Sequence, residues 1–349
     1  MSVLELWLRE EINPDEHRTV LTPDDARVLI ADGVRLTVEE SAHRIFDTGE
    51  YAAAGARIVA AGTWPEASAE TVIVGLKAPA DEPEPLRHRH IFFGHAYKGQ
   101  RDGAALLRRF RAGGTLLDLE YLTDDTGRRV AAFGYWAGYV GAALALLHFR
   151  GRLVPPLRTM SRPELDEALV ASGNARVRAL VIGALGRCGR GARDALSVGG
   201  VEPTAWDVAE TRDLDRRAIL DHDVLVNTVL SNELAPPFVR PEDLDDPARK
   251  LSVISDVTCD VTSEFNLLPI YRNPTDWARP VHHLRAEPAL DLLAIDNLPS
   301  LLPREASAAF SADLLPHLRT LPDDTPVWRR AYDRFAAATS ELDLMGSPS

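Results

Sequence analysis

The chain is poor in cysteine. Two thiols, Cys188 and Cys259, serve 349 residues, too few for a disulfide framework and without metal-ligand spacing, so neither a stapled secreted fold nor a bound metal is expected. Both read as small buried side chains in a protein of a reducing, cytoplasmic compartment. Positive charge is scarce as well: 39 Lys and Arg stand against 52 Asp and Glu, a net charge of −13 and a pI near 5.3. A broad nucleic-acid surface is thereby excluded, because a phosphate polymer would be repelled by most of the molecule. A membrane-length run is lacking too. The uncharged stretch FGYWAGYVGAALALLHF at 133–149 falls short of the roughly 20 residues that a span requires. It reads as a buried interdomain helix with small residues at Gly134, Gly138, Gly141, Ala142 and Ala145. The opening MSVLELWLREEI carries acids early and reads as a first strand, not a signal peptide. What is present is 45% hydrophobic content, enough for two domains with separate cores.

In chain order, VLELWLREE reads as a strand, and NPDEHRTVLTPDDARVLIADG as a turn and a helix capped by Thr22 with Pro23 at its start. RLTVEES is a strand, TGEYAAAGARIV a helix running into the next strand, and TVIVGLKAP a buried strand ending at Lys77 and Pro79. HIFFGHAYKGQ repeats the pattern, with Gly94, His95 and Lys98 at the exit before an AALLRRF helix. TLLDLEYLTDDTGRRV is a strand or hairpin carrying Asp118, Glu120, Arg128 and Arg129. Residues 1–133 thus form one α/β domain, to which C-terminal helices over 318–349 return.

Residues 134–317 are organised around RVRALVIGALGRCGRGAR at 176–193, where a β-branched run stops at a glycine and restarts at helical spacing. Gly183, Gly186 and Gly189, with Leu185 and Arg187 between them, form a strand–turn–helix suited to a dinucleotide. The first glycine permits the turn, the second lets backbone approach a pyrophosphate, and the third lets helix and strand pack closely. The spacing departs from G-x-G-x-x-G, but Asp207, at the end of PTAWD, supplies a second strand's carboxylate for adenosine ribose hydroxyls. DHDVLVNTVL and KLSVISDVTCDVT continue as strands of a doubly wound sheet, and Asp296 ends a further apolar run and joins the cofactor candidates.

Ligands of such sheets bind outside the carboxyl ends of the strands. Lys77, His95 and Lys98 are placed there, and a lysine with a histidine can run proton transfers near neutral pH. Taken singly each is more often solvent-facing charge, but three occur at two matching strand ends. Arg18, Arg128 and Arg129 could pair substrate carboxylates, and Glu16 and Glu120 could balance that positive charge.

The stretches LxLRxE at 6–11, EHRTVLTP at 16–23, VGLK at 74–77, GHAYKGQ at 94–100, DLEYL at 118–122, GRRVAAFG at 127–134, VIGALGRCG at 181–189 and IDNLPSLLPREAS at 295–307 resemble the NAD-dependent, lysine-forming saccharopine dehydrogenase family. That resemblance covers almost the whole chain and implies an α/β fold of two Rossmann-like domains, with parallel sheets, separated by a cleft, as in the alanine dehydrogenase group. It implies NAD as cofactor and small amino-acid and keto-acid substrates: saccharopine loses hydride to NAD, becomes an imine and is hydrolysed to lysine and 2-oxoglutarate. On this resemblance Lys77 and His95 are the acid–base pair, Arg18 and Arg129 bind carboxylates, Glu16, Lys98 and Glu120 surround the site, and Asp207 takes the ribose. The chain departs from the family at Asn13, where a lysine is usual, at Asn297, and across HHLRAEPALDLL. Another N-substituted lysine or amino acid, or oxidative deamination of a primary amine as in alanine dehydrogenase, are the alternatives. A nucleotide-sensing protein without catalysis is a third.

Overall fold

Alternating apolar runs and amphipathic stretches build two sheets, each in its own compact unit. The computed structural model describes residues 3–82, 84–97, 103–323 and 325–345, and Lys98 lies outside the described residues. Its units are Met1–Ala132 with Ala306–Ser349, and Phe133–Glu305. The chain returns to the first unit at Ala306, inside a helix, and not at residue 318.

The first unit contains β1 (Glu5–Leu8), α1 (Pro23–Ala31), β2 (Arg35–Glu39), α2 (Thr48–Ala53), β3 (Arg57–Val59), β4 (Val72–Val74), β5 (Arg89–Phe92), α3 (Gly103–Arg109) and β6 (Thr115–Asp118). All its strands pair in parallel, in the order β3-β2-β1-β4-β5-β6. Leu6, Trp7, Leu8 and all of β4 are buried, as strands covered on both faces must be. The order reverses between β1 and β4, so a crevice for ligands is expected at the carboxyl ends of these two strands. Helix α1 begins where Thr22 Oγ1 accepts a hydrogen bond from Asp25 N at 3.3 Å, a cap worth about 1 kcal/mol.

The second unit contains α4 (Gly134–Phe149), α5 (Arg162–Ala171), β7 (Ala179–Ile182), α6 (Arg187–Val198), β8 (Thr204–Trp206), α7 (Val208–Thr211), α8 (Arg216–Leu220), β9 (Val224–Asn227), β10 (Val253–Asp256), β11 (His282–Ala286) and β12 (Ala289–Leu293). Its order is β11-β12-β10-β9-β7-β8, parallel except for the β11–β12 hairpin. The reversal here falls between β7 and β9. The apolar run at 133–149 forms α4, which packs within this unit on α6, β9 and β10. Small residues bring the two helices into backbone contact: a Cβ at Gly138 would meet the Cys188 carbonyl, and one at Gly191 the Tyr135 carbonyl. Among the described residues no helix is long and apolar enough to cross a membrane. Helices α9 (Pro303–Arg319) and α10 (Pro326–Met345) then close the first unit, where Phe335 and Ala338 join the core of Trp7, Ile73, Phe92 and Leu116.

Candidate active site

Four parallel strands of the first unit deliver charged residues to one edge: β1 leads into Arg9 and Glu11, β4 into Lys77, β5 into His95, and β6 ends at Asp118 with Glu120 beyond it. Glu16 and Arg18 stand in the loop before α1, both buried. Arg18 Nε donates to Glu16 Oε1 at 2.7 Å and its Nη2 to Oε2 at 2.6 Å, the fork geometry in which a guanidinium pairs a carboxylate. Burial pushes the Glu16 carboxyl up, but the Arg18 hydrogen bonds and charge, with Lys77 adding to them, hold it below the usual range. The loop is pinned from behind by α9, where Ser307 Oγ accepts from Thr19 N at 2.9 Å and Ser311 Oγ from Thr22 N at 3.0 Å.

His95 has a left-handed backbone, φ 48°, uncommon for a residue with a Cβ and a mark of a constrained site. Its Nδ1 lies 3.5 Å from Glu120 Oε2. Asp118 is fully buried, and its Oδ1 accepts from Glu120 N at 2.9 Å. Burial pushes the Asp118 carboxyl up to about 6, against the opposing Glu120 N–H bond. A cavity of about 780 Å³ opens beside His95, lined by Ala78, Pro79, Asp81, Glu84 and Leu106, within the size range of small-molecule sites. The structure therefore brings Lys77, Glu16 and Arg18 together and pairs His95 with Glu120. Arg129 sits on an exposed turn bridged to Thr123.

In the second unit β7 ends in Gly183, whose φ of 83° requires glycine. The turn closes through Gly186 N to Gly183 O at 3.1 Å, and α6 starts at Arg187 with no side chain capping it. Its first N–H groups are open to an anion, and the bare Gly186 leaves backbone exposed where a phosphate would lie. A Cβ at Gly189 would stand 2.5 Å from Ala184 Cα, so the third glycine is needed for helix and turn to pack. Asp207 Oδ2 accepts from Leu185 N at 2.9 Å, and Oδ1 from Val208 N at 2.9 Å. Each oxygen keeps a second lone pair for a ribose hydroxyl. Residues Gly183 to Gly189 with Asp207 thus fit a dinucleotide's pyrophosphate and ribose. Asp296 is exposed beyond β12, near enough for its charge, after burial and that of Asp256, to push the Cys259 thiol up.

Three groups escaped the sequence reading. Thr228, just past β9, donates from Oγ1 to Ile182 O at 2.8 Å and would collide with a side chain at position 183, since a Cβ there lies 2.6 Å from this oxygen. Asp256 ends β10 fully buried, accepting from Asn227 Nδ2 at 3.0 Å, Thr258 Oγ1 at 2.8 Å and Tyr271 OH at 2.7 Å. Both follow apolar strands and end in polar residues, a signal that was readable. The third is the buried Arg9–Glu11 pair, readable as charge set directly after a wholly apolar strand. Among the described residues no cluster of His, Cys, Asp or Glu is arranged to hold a metal.

Residues 7–140 match the family model for the N-terminal domain of alanine dehydrogenase and PNT. A saccharopine dehydrogenase [NAD(+), L-lysine-forming] of Neurospora crassa is 44% identical, with 97% of each chain covered. Its counterpart in Candida albicans is 40% identical over 97% of this chain and 98% of its own. An L-alanine dehydrogenase structure superposes with a TM-score of 0.70 at 16% identity, covering 98% of this chain and 99% of its own. That likeness concerns the fold, an α/β architecture with parallel-dominated sheets, whereas the fungal relatives match in sequence nearly end to end. The chain belongs to the NAD-dependent, lysine-forming saccharopine dehydrogenase family.

Proposed function

We propose that this chain oxidises saccharopine, the secondary amine joining lysine to a glutarate skeleton, with NAD and water, reversibly yielding L-lysine, 2-oxoglutarate and NADH. What carries the reading is the placement of Lys77 and His95 at neighbouring strand exits in a chain 40–44% identical to such enzymes over 97% of its length. The dinucleotide, with its pyrophosphate at Gly183, Leu185, Gly186, Arg187 and Gly189, its ribose on Asp207 and Asp296 at the same strand edge, supplies the hydride acceptor.

Every other step falls to side chains. The amine nitrogen must lose its proton before its lone pair can form the C=N bond as hydride leaves the adjoining glutarate carbon. Lys77 takes that proton. Water then adds to the imine carbon while His95 removes its proton, and the proton's return to nitrogen breaks the C–N bond, freeing the lysine amine and the keto acid. Glu120, beside Nδ1, favours the tautomer that leaves Nε2 as the base. Arg18, its plane set by Glu16, receives a substrate carboxylate, with Arg129 and Lys98 as further cationic contacts. A cytoplasmic setting accords with two free thiols.

Following NADH absorbance with lysine and 2-oxoglutarate, against other amines and against pyruvate with ammonia, tests the reading. Turnover is expected with lysine and 2-oxoglutarate, and NADPH should serve poorly because the Asp207 carboxylate repels a 2′-phosphate. Faster turnover with ammonia would favour the primary-amine alternative instead.

A further inference from the structure

We infer that the buried Arg9–Glu11 pair is a positioning device for Lys77, holding the N–H and the C=O of that residue at once. The inference rests on the proposed role of Lys77 as proton acceptor. Strand β4 ends at Val74, whose carbonyl accepts from Arg9 N at 3.0 Å, and Gly75 N still reaches Ile91 O at 2.9 Å. Beyond Gly75 the sheet has no N–H acceptor left for Leu76 and Lys77. Glu11 supplies both: Oε1 accepts from Leu76 N at 2.6 Å and Oε2 from Lys77 N at 3.0 Å. Arg9 completes the clamp by donating from Nη2 to Lys77 O and from Nη1 to Glu10 O at 2.9 Å.

The guanidinium and carboxylate stand 3.6 Å apart, their side chains 1% and 9% exposed. Arg9 lies over the Phe92 ring at 5.8 Å. Burial pushes the Glu11 carboxyl up despite Arg9 and the two backbone N–H bonds. A buried ion pair is a weak way to gain stability, since apolar side chains of like volume often serve as well. Here its polar atoms are spent on one stretch of backbone. That stretch carries the lysine at the strand reversal between β1 and β4, where a shift of about 1 Å in a reacting group can cost on the order of 100-fold in rate. Gly75 belongs to the device, because a Cβ there would stand 2.5 Å from Arg9 Cζ.

Two variants test it. Glu11→Gln turns one of the two acceptors into a donor facing a backbone N–H. Gly75→Ala displaces the Arg9 guanidinium without removing a charge, and serves if the first variant folds poorly. Each is expected to lower kcat roughly 10- to 100-fold while KM for 2-oxoglutarate and the affinity for NADH stay unchanged. In a Lys77→Met background neither should lower kcat further, because a group acting only through Lys77 has nothing left to act on. Lysine occurs three times, at Lys77, Lys98 and Lys250, so ¹³C-methylated protein should give few lysine resonances, and that of Lys77 should shift in both variants. An equal loss of kcat with and without Lys77, or an unmoved Lys77 resonance, overturns the inference. A Lys77→Met enzyme with normal kcat would instead overturn the catalytic reading of Lys77, while the resonance still decides whether the pair holds it.

Discussion

The exits of β1 and β7 occupy equivalent places, each beside the reversal of strand order in its own sheet, and they are built in opposite ways. After β7 the chain is emptied of side chains: Gly183 turns it, and α6 begins almost at once with bare N–H groups. After β1 the same space is filled by Arg9 and Glu11, and the next helix waits until Pro23, its first turn capped by Thr22 and carrying Asp24 and Asp25. An anion is welcome at the first and repelled at the second. The sheet order does not decide which unit takes a phosphate. What decides it is whether the first residues past the central strand have side chains.

The comparison would break most visibly through the charged edge. Lys77→Met or His95→Gln should lower kcat by roughly 10²–10⁴ if acid–base catalysis is lost, with NADH binding unchanged in a fluorescence titration; small losses in both would make the pair structural. Next is the emptied edge. Gly189→Ala puts a methyl against the backbone of the turn, which cannot yield as a side chain could, so a loss on the order of 3 kcal/mol in stability is expected, with weakened NADH binding. A calorimetric scan with and without NADH reads both. Arg18→Ala should raise KM for 2-oxoglutarate by roughly one to two decades, and for NADH little, since Arg18 belongs to the filled edge; equal effects on the two would detach it from the keto acid.

The smallest effect concerns Asp118 and pH. Its carboxyl titrates near 6 when folded and near 3.8 when not, so between these values the folded chain holds a proton that the unfolded chain releases. Stability therefore falls as pH rises through that window. Asp118→Asn, which can still accept from Glu120 N, should remove the fall and raise stability at pH 7 by on the order of 2 kcal/mol. Denaturation midpoints measured from pH 4 to 7 check this, and a variant whose curve tracks the parent would refute it.

Local chemistry was legible in the sequence. Thr22 before Pro23, the glycines from 183 to 189, and Lys77 and His95 after apolar runs each announce themselves within a few residues, because capping, turns and strand ends are short-range. What could not be read is whatever the strand order assembles. Glu11 meets Lys77 only because β1 and β4 are neighbours, and Tyr271 and Asn227 meet on Asp256 only because β9 and β10 are. The HHLRAEPALDLL segment showed no family pattern, yet it folds as the β11–β12 hairpin on the sheet edge. The run at 133–149 revealed its burial but not its partner, since the crevice that receives it is made by Cys188 and Gly191 on α6.

That partner has a mechanical consequence. Helices α4 and α6 touch backbone to backbone at Gly138 and Gly191 with no side chain between them as a cushion, so neither can slide past the other without the two chains colliding. The N–H groups at the start of α6 therefore inherit their position from a helix that supplies no residue to the cofactor turn. A methyl added at position 138 would act as a shim, lifting the whole cradle away from Asp207 while every residue of the turn kept its identity.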